Sequence, residues 1–175
     1  TNQHASHLLE RSVVVSLFGV LLARAVHWKF PTTHFTLVAA GLLQNVGAKG
    51  IDRDTLLKPR QQWTSKEMKY YETHRTRGLQ MLMHLETIPA EAVQVIGEYA
   101  QFDASTNSML TPKKGTLAPM AKLFTVANEF CERSIKTPAY KGMPANAAIE
   151  QMDLECGKLL EPEFFSALKG LFAGA

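Results

Sequence analysis

From about Ser6 to Trp28 the chain is apolar on most sides of an α-helix. A helix without a clear polar face belongs in a core, so the other segments must supply surfaces to cover it. Those segments also read as helices. Pro31, Thr32 and Thr33 open a second helix that ends near Gly47. Residues 48–60 read as a loop with one short turn at 54–57. Thr64 and Glu67 form a capping box and start a long helix through about Leu85. Pro89 precedes a helix from Ala90 to Gln101. The stretch 103–117 is rich in Ser, Thr, Asn, Pro and Gly and reads as a long loop, of the kind that often carries function. Further helices are expected from Ala118 to about Ile135, from about Ala145 to Leu154, and from Pro162 to Phe172. No segment sustains strand alternation, and the β-branched run Val13-Val14-Val15 lies inside the helical pattern. The expected class is all-α: one domain over residues 1–175, a bundle of about seven helices.

The first helix also resembles a targeting segment. Arg11 precedes the apolar run Val13 to Ala23, and Ala23-Arg24-Ala25 imitates a signal-peptidase site. The run is far shorter than the roughly 20 residues a bilayer span needs, and the helical pattern continues beyond it. A buried helix is therefore expected, with no membrane insertion and a cytoplasmic location. The absence of an initiator Met suits a fragment of a longer signalling protein. A net charge of +3 without a run of Lys or Arg argues against nucleic acid as a partner. Cys131 and Cys156 lack C-x-x-C spacing and read as buried reduced thiols.

A search for chemistry finds little. The histidines are His4, His7, His27, His34, His74 and His84, and none forms H-x-x-x-H or H-E-x-x-H. His4 and His7 fall at the chain end and read as solvated. His74 and His84 stand about 80° apart around one helix, which is a poor geometry for a shared ligand. No G-x-S-x-G, Walker or Rossmann pattern is present. Phe124, Phe130, Phe164, Phe165 and Phe172 recur at helical spacing and read as core. From its residues alone, this is a helical domain with no visible active site.

The order of segments nevertheless resembles one family. The matching stretches are Leu42-Leu43-Gln44-Asn45-Val46-Gly47-Ala48, then Leu57-Lys58-Pro59, Thr64 to Glu67, and Thr73-His74-Arg75. Glu98 to Ser108, Val126 to Phe130 and Glu161-Pro162-Glu163-Phe164 follow. Over about residues 12 to 172 the chain resembles bacterial HD-GYP domains. Active members of that family hold two or three metal ions and hydrolyse cyclic di-GMP. The metal-binding positions of the family fall here on Ser12, Gln44, Asn45, His74, Glu98, Tyr99 and Asn128, and only His74 keeps the family residue. The signature Lys falls on Ala48, with Lys49 adjacent. In the ligand-contacting loop Asp103 and Ser105 persist, while Ala104, Thr106, Asn107 and Ser108 replace the Gly, Tyr and Pro residues.

The resemblance implies a degenerate member with no cofactor. A binuclear centre carries about four positive charges, and at the matched positions only Glu98 supplies a carboxylate. Gln44, Asn45 and Asn128 are neutral amides, expected to pair with each other and with His74 in an inert, uncharged core. The expected function is a catalytically inactive signalling domain that acts as a protein-interaction module in cyclic di-GMP signalling. Expected partners are a GGDEF-type or PilZ-type domain, or a second copy. The alternative is a cyclic-dinucleotide sensor that binds without hydrolysis, with Lys49, Lys113 and Lys114 as candidate phosphate contacts. A residual metal-dependent phosphodiesterase is the remote alternative.

Overall fold

The computed structural model describes residues 3–58, 62–100, 102, 117–137 and 140–173. Among these the chain forms nine α-helices and one 3-10 turn. They are α1 (Gln3–Ala25), α2 (Pro31–Leu43), the 3-10 turn (Val46–Gly50), α3 (Arg53–Leu57), α4 (Ser65–Glu72), α5 (His74–Leu82), α6 (Ala90–Ala100), α7 (Pro119–Ser134), α8 (Ala145–Glu155) and α9 (Pro162–Phe172). The class is all-α, as the sequence leads one to expect. The count exceeds seven because α3 is a helix in its own right and the expected long middle helix is two.

Local chemistry sets these boundaries. α1 stops before Trp28 because His27 adopts a left-handed conformation with φ 63°. The Trp28 amide then reaches back to the Ala23 carbonyl at 2.8 Å and the His27 amide to that of Arg24 at 3.1 Å, a Schellman closure. Pro31 pre-sets the first turn of α2. The capping box at Thr64 and Glu67 forms as expected. The break between α4 and α5 falls at Thr73, whose hydroxyl donates to the Tyr70 carbonyl at 2.8 Å and so competes with continued helix.

α7 is the central helix, buried from Leu123 through Cys131. α1, α2, α6, α8 and α9 pack around it. The interior is filled by Leu22, Leu37, Ile96, Leu123, Phe124, Phe130, Met152 and Leu168. Phe18 and Phe172 both pack on the Phe130 ring, with centroids 4.9 and 5.1 Å away. The five aromatics that the spacing assigns to the core include Phe124, Phe130, Phe164 and Phe165, which are all buried. Cys131 and Cys156 are buried free thiols. Burial pushes each up to about 12 and keeps it protonated.

α1 is less completely covered than its composition suggests. Leu9, Val13, Leu17 and Leu21 face outward. No helix among the described residues is long and apolar enough to cross a membrane.

Candidate functional site

Ser12, Gln44, Asn45, His74, Tyr99 and Asn128 converge where α1, the C-terminal end of α2, α5, α6 and α7 meet. The approach is close because Gly47 has no side chain. A Cβ there would run into the His74 carbonyl oxygen and the backbone of Gly78. The 3-10 turn is thereby pressed against the start of α5. Ser16 similarly packs against Gly41 and donates to the Val38 carbonyl at 3.1 Å, joining α1 to α2.

Within this junction Ser12, Gln44, His74, Tyr99 and Asn128 are buried. The Asn128 amide donates to the Gln44 side-chain oxygen. Asn45 donates to the Ser12 hydroxyl at 3.1 Å. Gln44 also donates to the Gly41 carbonyl at 3.3 Å. The His74 ring lies 4.5 Å from that of Tyr71, and its Nδ1 is 2.5 Å from the Tyr71 carbonyl, an acceptor that makes Nδ1 the donor.

Glu98 does not join this group. Its carboxylate accepts from the Ala118 amide at the start of α7, at 2.6 Å, and from Gln94 at 2.7 Å. It ties α6 to α7 and leaves the junction. Lys49 is exposed at the end of the 3-10 turn. Asp103, Ser105, Asn107, Lys113 and Lys114 lie outside the described residues.

The junction is charged, contrary to the neutral core expected from its amides. Arg11 enters from α1 and donates to Asn128 Oδ1 at 3.1 Å and to Glu132 at 3.0 Å. Burial opposes the charge on Arg11. Glu132, Tyr71 and Tyr99 nevertheless hold its pKa above the ordinary guanidinium value. Arg75 donates to the Tyr99 hydroxyl at 3.1 Å and to the Phe102 carbonyl at 3.3 Å. Tyr99 and other anionic or phenolic neighbours raise its pKa as well. Burial pushes the Tyr99 phenol up, so it stays protonated. One residue further round α7, Arg133 joins Glu129 at 2.9 Å to Glu155 at 2.7 Å. Burial, reinforced by Glu132, raises the Glu129 carboxyl despite Arg133.

Arg11 and Arg75 escaped the motif-based reading because neither sits at a family ligand position. A signal for Arg11 was present. It falls in register with the core-facing residues Val15, Phe18 and Leu22 on a helix whose only other charged residues are Glu10 and Arg24.

The residues do not suit a metal centre. Such a centre needs inward-facing acceptors with negative charge to offset the ion. Here amide oxygens of Gln44 and Asn128 already accept hydrogen bonds, two guanidinium groups bring positive charge, and Glu98 points elsewhere. Among the described residues no group of three or more His, Cys, Asp or Glu is placed to hold a metal. A shallow cleft of about 500 Å³ lies at the opposite end of α2, lined by Pro31, Thr32, Phe35, Pro89, Glu91 and Met120, among others. It has no part in the junction.

Comparison with known proteins places the fold. The family model described as HD domain matches residues 2–164. Among solved structures, the chain is similar to Bd1817, an HDG"Y"P protein from Bdellovibrio bacteriovorus, with a TM-score of 0.75 and 16% sequence identity. The match covers 95% of this chain and 53% of that one, so the chain spans about half of that protein's length. No curated protein matches.

Proposed function

This chain belongs to the HD domain family, and from that premise we propose that it is a catalytically inactive, HD-GYP-like domain that acts as a protein-interaction module in cyclic di-GMP signalling. One observation carries the reading. Guanidinium donors occupy side chains at the positions where active members of the resembled family present metal ligands: Arg11 on Asn128, and Arg75 on Tyr99. A hydrolase of that kind needs a metal-bound hydroxide at neutral pH. A guanidinium cannot supply one, because it has no acceptor and does not deprotonate. What persists is the scaffold, with a packed core and an exterior available to other proteins. The partners that fit are a GGDEF-type or PilZ-type domain, or a second copy.

The test combines metal analysis with ligand titration on the purified chain. The expected result is far less than one iron or manganese per chain, no hydrolysis of cyclic di-GMP after both metals are supplied, and no thermal shift with the dinucleotide. About two metals per chain together with hydrolysis would overturn the reading. A shift of several degrees without hydrolysis would instead establish the dinucleotide sensor, because a ligand that binds only the native state raises its stability.

A further inference from the structure

We infer that the outer face of the α1–α2 hairpin is a self-complementary surface on which a second copy of this chain docks about a two-fold axis at Leu17. This deepens the interaction reading by naming a face and an occupant, and it rests on that reading.

The first observation is a conflict between sequence and burial. α1 is apolar on most sides, the pattern of a helix covered all round. Its outward stripe is nevertheless bare: Leu9 is 59% exposed, Leu17 58% and Leu21 48%, with Val13 between them. The stripe continues onto α2. Ser16 meets Gly41 where the two helices touch, and Leu17 and Leu42 each lie one residue, about 100°, further round. In an antiparallel pair those rotations lead to the same side. Phe35, 63% exposed, stands seven residues before Leu42 on that side. α2 carries no charged residue at all.

The second observation is the register. Glu10, Val13, Leu17, Leu21 and Arg24 share one face of α1, spaced by three, four, four and three residues. The pattern is symmetric about Leu17. Antiparallel packing of α1 on its partner copy sets Leu17 against Leu17 and Val13 against Leu21. It also sets the acidic end of one helix, at Glu10, toward the basic end of the other, at Arg24. A contact that matches itself in both shape and charge is what a two-fold interface requires.

The third is area. The six exposed apolar residues present on the order of 500 Å², at the upper end for patches on monomeric proteins. Two copies then bury on the order of 1,000 Å², the lower bound for a specific interface. An interface of this size is that of a weak, reversible dimer.

Sedimentation equilibrium on the 175-residue chain tests the inference, with circular dichroism to verify folding. The wild-type chain should dimerise at tens of micromolar. Leu17→Glu should weaken the dimer at least tenfold while leaving the melting temperature within a few degrees, because Leu17 is a surface residue of the single chain. Leu17→Cys should form a disulfide-linked dimer on mild oxidation, whereas Leu154→Cys, on the exposed side of α8, should not. The native thiols are buried and do not compete. A chain that stays monomeric at several hundred micromolar, or a dimer that Leu17→Glu leaves intact, overturns the inference. Metal content and cyclic di-GMP hydrolysis of the same preparation are separate readouts. A monomeric, metal-free, inactive chain overturns the dimer alone, and a dimeric, metal-loaded, active chain overturns the inactive-domain reading alone.

Discussion

Replacing Arg11 by Met removes a buried cation while keeping most of the side-chain stem. The guanidinium holds Asn128 Oδ1 at 3.1 Å and Glu132 at 3.0 Å, with its own side chain 13% exposed and that of Glu132 25% exposed. Removing one partner of a buried ion pair costs about 3–5 kcal/mol. The partial exposure of Glu132 moves this toward the lower end, and the apolar Met stem recovers a little more. A net loss of about 2–3 kcal/mol is expected, which for a domain of this size lowers Tm by about 4–12 °C. Urea denaturation of Arg11→Met should show a lower midpoint with an unchanged slope, the mark of a change in stability alone. Glu132→Gln and the double variant complete a cycle with an expected coupling of about 1–3 kcal/mol. A Tm within about 2 °C of wild type, or a coupling near zero, would refute the claim that Arg11 holds this junction together.

Four further outcomes follow from the structure. Gly47→Ala should destabilise by more than about 2 kcal/mol in urea melts, because the new Cβ meets the His74 carbonyl and the Gly78 backbone, neither of which can rotate away. Gly170→Ala, with open space around it, should be neutral or stabilise by up to about 1 kcal/mol. Lys58, Thr64 and Thr55 hold the Glu67 carboxyl down to about 2, against an ordinary 4.5. Its contribution is therefore full above about pH 4.5 and lost as pH falls toward 2; Glu67→Gln should flatten that part of the Tm-against-pH curve. Asn128→Asp loses the donor to the Gln44 side-chain oxygen while Arg11 compensates the new charge, so Tm should fall by only a few degrees, and the variant should take up no manganese by elemental analysis. One manganese per chain in that variant would show that Arg11 does not block the site.

The sequence makes the helices legible wherever a boundary depends on nearby residues. Pro31, the box at Thr64 and Glu67, and Pro162 mark their helix starts through bonds or torsions within a few residues. The Thr73 break and the left-handed His27 are not legible in this way. Thr73 can continue a helix as well as end one, and His27 is not a glycine. The site divides on the same line. Gln44, Asn45, His74, Tyr99 and Asn128 are found by their order along the chain and do come together. Glu98, their neighbour in sequence, leaves because one residue on a helix is a turn of about 100°. Arg11 reaches Asn128 across 117 positions, a pairing that no local pattern encodes.

That long-range pairing changes what the amide substitutions mean. Gln44, Asn45 and Asn128 alone suggest a cavity made inert by neutralisation. With Arg11 and Arg75 in place, positive charge is present, but it is covalently fixed to α1 and α5 rather than carried by an exchangeable ion. Glu132 and the protonated Tyr99 then have the partner that buried polar groups require. On the proposed reading this explains how the scaffold stays folded without a metal. A metal ion offers open coordination positions to water and phosphate. On that reading, Arg11 donates instead to Asn128 and Glu132, and Arg75 to Tyr99 and the Phe102 carbonyl, so the contacts that hold these helices together occupy the groups a metal ion would need.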